Sequence, residues 1–175
     1  MKRYIKSAVS STSDEPYAVK LSIARDKHAR ESQLLELIDH ANGYLLDAII
    51  QNHSHNGGVV IAALDHYPEE IKDNDSYFHI MTKLAETTAS TEVIDYIRND
   101  DLWGHPGIRY GAASNLATSK EILEELVTDE NSAVRHEVAR NMNLPMDSLK
   151  KLLNDPSYLT RETAQHYYKL RGGEA

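Results

Sequence analysis

The stretch Ile108-Arg109-Tyr110-Gly111-Ala112-Ala113-Ser114-Asn115 lies 26 residues ahead of Val134-Arg135-His136-Glu137-Val138-Ala139-Arg140-Asn141. Both octets open with a β-branched residue and Arg, and both end on Asn. The same offset pairs Leu123 with Leu149, Leu126 with Leu152 and Asp129 with Asp155, and it carries Arg135 onto Arg161. Agreement at one fixed offset marks a repeat architecture. Upstream the echo is fainter. Ala24-Arg25-Asp26 matches Ala139-Arg140-Asn141, and Leu34 and Leu37 fall where Leu149 and Leu152 fall. One period later come Asn52, Val60 and Ala63, and a further unit runs through Ala85, Val93, Ile94, Ile97 and Asp100. Two insertions interrupt the pattern, roughly His66 to Tyr77 and Leu102 to Gly107. Five or six imperfect units result.

Each clear unit reads as two short helices. Thr118-Ser119-Lys120-Glu121 places a hydroxyl three residues ahead of a glutamate, a capping-box signature. Ile122, Leu123, Leu126 and Val127 then fall on one face at helical spacing. Asp129-Glu130-Asn131-Ser132 is a turn, with Ser132 a cap for a second helix through Val134, Val138 and Ala139 that ends near Asn141. Pro145 opens the next helix, where a missing N–H costs nothing. A lone helix pair of this kind cannot bury its apolar face, whereas stacked neighbours can. The expectation is an all-α solenoid over residues 17–175, preceded by a segment over 1–16 that is flexible or docks as a cap.

An Asp in the inter-helix turn followed six residues later by Arg, as in Asp129…Arg135 and Asp155…Arg161, resembles the HEAT-repeat pattern. The tract from Ala113 to Arg140, with Asn115, Ser119, Leu123, Leu126, Asp129 and Val134-Arg135, is more similar to the variant leucine-rich repeats. The match covers about residues 108–166 well and 20–100 weakly. The resemblance implies a right-handed stack of α and 3-10 segments serving as a binding scaffold, and it supplies no catalytic residues. Some members of that family carry a cysteine-ligated cluster at the N-terminus; a chain with no cysteine cannot.

Composition narrows the function. The net charge of −8 disfavours direct binding to nucleic acid, which calls for a basic footprint. The absence of cysteine excludes disulfides, thiolate zinc sites and a Cys nucleophile. No apolar run approaches the roughly 18 residues of a membrane span, and the basic N-terminus lacks the apolar centre of a secretory signal, so the expected location is the cytoplasm. GxSxG, Walker and GxGxxG motifs are all missing from the sequence. Neither an enzymatic activity nor a cofactor is expected.

Several residues stand out as candidates. Arg109, Arg135 and Arg161, recurring in phase with the repeat, read as a structural ladder with Asp129 and Asp155, Asp100 being displaced by the second insertion; forked guanidinium donors suit such pairs. His53, His55 and His66 are tempting as metal ligands, but Asn52 to Gly58 reads more simply as an inter-helix loop, and no metal is expected. The second insertion holds the only Trp of the chain, Trp103, with His105 beside it. Insertions in repeats often fall on the binding face, and Trp is enriched at interface hot spots; folding back to plug a gap between units is the equal competitor.

Charge is unevenly spread. Residues 31–101 hold 14 acidic and three basic groups, and Glu69, Glu70, Asp73 and Asp75 lie in the first insertion, where packing does not require them. Such a surface suits a basic or nucleic-acid-binding protein as partner. The preferred function is therefore a non-enzymatic protein-binding scaffold, its partner-binding residues being Trp103, His105, Glu69, Glu70, Asp73 and Asp75. One alternative is a small acidic inhibitor of the mobile-element kind, which imitates nucleic acid or covers a protein that binds it. The other is a relative of the HEAT-like DNA glycosylases, which would need a basic groove around Arg109, Arg135, Arg140 and Lys150 with Trp103 and an Asp at its floor.

Overall fold

The computed structural model describes residues 16–68 and 75–174. The expectations placed on residues 1–15 and on Glu69, Glu70 and Asp73 lie outside the described residues. Among the described residues the chain is all-helical, with eleven α-helices, two 3-10 turns and no strand. Where the sequence suggests one stack from residue 17 onward, the chain divides into two compact units, 1–72 and 73–175. The boundary falls inside the first insertion, where the repeat pattern breaks.

The first unit contains Tyr17–Arg25 (α1), Glu31–Ile38 (α2), Gly43–Asn52 (α3) and Gly57–Asp65 (α4). Here α1 packs on α2 and α3, and both of these pack on α4. Leu34, Leu37, Leu46, Ile49, Val60 and Leu64 form its core.

The second unit contains Asp75–Thr87 (α5), Thr91–Arg98 (α6), a 3-10 turn over Asp101–Gly104, Pro106–Ser114 (α7), Lys120–Leu126 (α8), Ser132–Arg140 (α9), Met146–Lys151 (α10) running into a 3-10 turn over Leu152–Asn154, and Tyr158–Leu170 (α11). Alternate helices form one layer, with α5 packed on α7, α7 on α9 and α9 on α11. α6 attaches to α5, α8 to α7 and α9, and α10 to α11. None of these helices exceeds 13 residues, a length marginal in isolation, so packing rather than propensity sustains them. In α6, Val93, Ile94 and Ile97 are all fully buried; each contributes about 1.5–3 kcal/mol relative to an exposed position.

Local signals are read by the chain one residue away from where the sequence suggests. Ser119, not Thr118, caps α8 by accepting from the Ile122 N–H, while the Thr118 hydroxyl is buried and donates to the Ala112 carbonyl. Asn131, not Ser132, caps α9. Pro145 is the residue just outside α10 rather than its first. At α8 and α9 the capping side chain reaches a free N–H of the first turn, and at α8 the Thr118 hydroxyl is drawn away by a carbonyl of another segment.

The segment 102–107 is not an interruption. Relative to Arg109 it holds the place that 128–133 holds relative to Arg135, so Trp103 stands where Asp129 stands one layer later. Asp100 is therefore not a displaced ladder member. Its carboxylate accepts from the Leu102 N–H and the Tyr77 hydroxyl, capping the 3-10 turn. No helix among the described residues is long and apolar enough to cross a membrane.

Candidate functional site

Arg109, at the start of α7, reaches the turn ahead of α9. Its Nε donates to Asp129 Oδ2 at 2.6 Å and its Nη2 to Oδ1 at 3.2 Å, while Nη1 caps the carbonyls of Trp103 and Gly104. Arg135 repeats the arrangement with Asp155 at 2.6 and 3.0 Å, and its Nη1 takes the carbonyls of Asp129 and Glu130. The HEAT-like spacing of six thus links Arg135 to the carbonyl of the preceding Asp129, whereas the carboxylate it grips lies twenty residues ahead. Each turn is held from both sides. Arg161 takes the carbonyls of Asp155 and Pro156 in the same way, and no carboxylate among the described residues reaches its Nε–Nη2 edge.

A second ladder runs beside the first. Buried Asn115 donates to the carbonyls of Ala85 and Thr88, and buried Asn141 donates to those of Ala113 and Asn115. In the first unit His53 does this work. Its Nε2 meets the Ala24 carbonyl at 3.1 Å, while Asn52, the residue the repeat points to, turns back onto Ala48 of its own helix. Burial pushes the His53 ring below the usual imidazole range, with the neighbouring His55 adding to the effect against the opposing pull of the Ala24 carbonyl and Asp26. His55 stands beside it, with ring centroids 6.1 Å apart. His66 bonds the Ala62 carbonyl and sits 3.5 Å from Asp39. Among the described residues no three His, Cys, Asp or Glu side chains converge on a metal-sized space.

The other residues singled out by sequence are scattered. Trp103 is half-buried in the 3-10 turn. His105 is exposed and caps α7, its Nδ1 accepting from the Gly107 N–H, with its ring edge-on to Phe78 at 4.5 Å. Asp75 is the exposed first residue of α5. Of the four cations a basic groove would need, Arg109 and Arg135 are buried against aspartates.

A cleft that sequence reading missed lies on α7, α9 and α11. It has a volume of about 130 Å³ and is lined by Ser114, Leu116, Glu137, Arg140, Asn141 and Tyr167. Glu137 forms its floor, with a side chain only 8% exposed, and Arg140, 51% exposed, donates to it at 3.0 Å. The Tyr110 hydroxyl donates to the same Glu137 oxygen at 3.2 Å. Burial and then the Glu137 charge push that phenol above its ordinary range. Hydrogen bonds with Tyr167 and with Glu137 hold Arg140 charged. Leu116, one of the lining residues, is 67% exposed, and Met142, next in sequence to the lining Asn141, is 50% exposed, each directly after a ladder asparagine. The cleft therefore offers a buried carboxylate already satisfied, one guanidinium with an open side, and two apolar side chains in water.

No family model, curated protein or solved structure gives a significant match to this chain.

One signal for this face was present in the sequence. The offset that aligns Asn115 with Asn141 also aligns Leu116 with Met142, two large apolar residues in loops, where water normally claims the position. Glu137 carried no such signal, since the aligned residue is Gly111, and its carboxylate becomes a cleft floor only through neighbours on two other helices.

Proposed function

We propose that the chain is a non-enzymatic protein-binding module of the cytoplasm, built as a right-handed solenoid of about 26-residue helix pairs of the variant leucine-rich or HEAT-like kind. Its docking face is the cleft of α7, α9 and α11 rather than the acidic insertion. The observation that carries this reading is the exposure of Leu116 and Met142 in matching positions beside the half-open Arg140. An apolar pair flanked by a cation with free donors suits a protein segment with an apolar anchor and an adjacent carboxylate. The ladders beneath keep the surface preformed, which lowers the ordering cost of binding. The burial of Arg109 and Arg135 against aspartates weighs against the glycosylase reading.

Affinity capture from nuclease-treated source lysate, followed by mass spectrometry, tests the proposal. The wild type is compared with Leu116→Ser/Met142→Ser and with Tyr44→Ser, a control at an exposed site in the first unit. A protein recovered by wild type and control but lost from the double variant supports the assignment. Identical recovery by all three, or none by the wild type, rejects this face.

A further inference from the structure

Four aspartates among the described residues accept the backbone N–H two residues ahead and so present their carboxylates from a rigid turn: Asp26, Asp100, Asp129 and Asp155. Asp129 and Asp155 are gripped by Arg109 and Arg135, and Asp100 receives the Tyr77 hydroxyl. Asp26 is exposed, and no cation among the described residues lies within ion-pair distance of it. Three arginines carry the matching fork, and one of them, Arg161, has no aspartate. Among the described residues one turn and one fork are left over, the turn in the first unit and the fork in the second.

Their surroundings match as well. Next to Arg161 stands Tyr158, whose ring centroid lies 5.8 Å from the guanidinium carbon, and both Tyr158 and Leu159 are exposed. The adjacent Glu162 accepts from the Tyr158 hydroxyl and leaves the arginine fork open. Asp26 lies on the rim of an open hollow of about 580 Å³ lined by Ala18, Leu21, Ser22 and Arg25. Arg25 beside Asp26 complements Glu162 beside Arg161. Both faces also carry exposed apolar side chains: α1 exposes Tyr17 and Val19, and α11 exposes Tyr158, Leu159 and Leu170.

We infer that a second copy of this chain docks its Asp26 turn onto Arg161, joining copies head to tail through the pairing the chain already uses internally. The two surfaces differ, so the contact is heterologous and propagates into a ring or an open series. The inference is independent of the cleft on α7, α9 and α11, which takes no part in it.

Sedimentation velocity and light scattering of the full-length chain over a wide concentration range provide the test. The expected result is a mass that rises with concentration and falls back with added salt. Asp26→Asn keeps the turn while removing the charge, and it weakens association about tenfold. Asp26→Arg abolishes association, and Asp26→Arg combined with Arg161→Asp restores it. Helical content by circular dichroism checks folding, and Asp26→Asn leaves the internal ladder untouched should the Arg161 variant unfold. A wild-type chain monomeric at every concentration, or association indifferent to Asp26→Asn, overturns the inference.

Discussion

Arg109 and Asp129 stand twenty residues apart in sequence, yet their side chains meet as two parallel hydrogen bonds and are only 9% and 4% exposed. Arg135 and Asp155 repeat the pair one layer on. Buried pairs of this sort add little net stability over an apolar substitute, but removing one partner strands the other charge. Their evident effect is on register, because the Asp129 turn is tied to both α7 and α9, and the Asp155 turn to both α9 and α11.

Asp129→Ala is accordingly expected to destabilise the second unit by about 3–5 kcal/mol, as it leaves the Arg109 guanidinium buried with no carboxylate but the exposed Glu130. Asp129→Asn, which retains an acceptor, costs less. Urea unfolding followed by circular dichroism measures both, and a loss below about 1 kcal/mol for the alanine variant would place the pair with ordinary surface bridges.

The second pair ties stability to acid. Burial alone would push the Asp155 carboxyl up, but hydrogen bonds from Arg135 and the Ser157 N–H, together with the charges of Arg135 and Arg161, outweigh it and hold the group below the usual range. A depressed carboxyl stabilises the fold fully above its unfolded pKa of about 3.9, and the contribution drains away as pH falls through the folded value. Urea midpoints should therefore drop below about pH 4 in the wild type, and Asp155→Asn, less stable at neutral pH, should show a shallower drop.

His53 sets a second acid-sensitive step with the same sign but at higher pH. Its ring is held neutral by burial, so the unfolded chain binds the proton more readily. Stability is complete above about 6.5, the ordinary imidazole value, and declines as pH falls below it. His53→Asn supplies the amide that the ladder uses at Asn115 and Asn141, and it should remove that decline while keeping the bond to Ala24. The ring proton shifts of His53, followed by NMR, are expected to titrate below those of an exposed histidine; titration at or above the ordinary value would contradict the burial account.

Gly111 lies inside α7, where Gly→Ala normally gains about 1 kcal/mol. Here a new Cβ would approach the Ala85 Cβ and the Glu86 backbone nitrogen at 3.3 Å each, and the Glu86 Cγ at 3.0 Å. The Glu86 side chain can swing away, but the α5 backbone cannot without opening the α5–α7 contact. Gly111→Ala is predicted to lose roughly 1–3 kcal/mol, as overpacked interiors do. A thermal midpoint raised by the substitution would show that α5 yields.

The all-helical class, the apolar stripes of α6 and α8, the starts of α8, α9 and α10 to within one residue, and the recurrence of Arg109, Arg135 and Asn115, Asn141 were all legible in the order of amino acids. Periodicity, capping residues and turn formers act over a few neighbouring residues, and a linear reading captures such forces. Which groups meet across twenty to thirty residues was not legible. Only packing decided that Arg135 grips the carboxylate of Asp155 and not that of Asp129, the one its spacing suggests, that His53 replaces Asn52, that Trp103 occupies a ladder aspartate's place, and that Glu137 becomes the floor of a cleft. Those outcomes depend on how one short helix seats against the next. A one-residue change in seating turns a different side chain toward the same carbonyl, and that choice is made by the fit of whole faces rather than by any local preference.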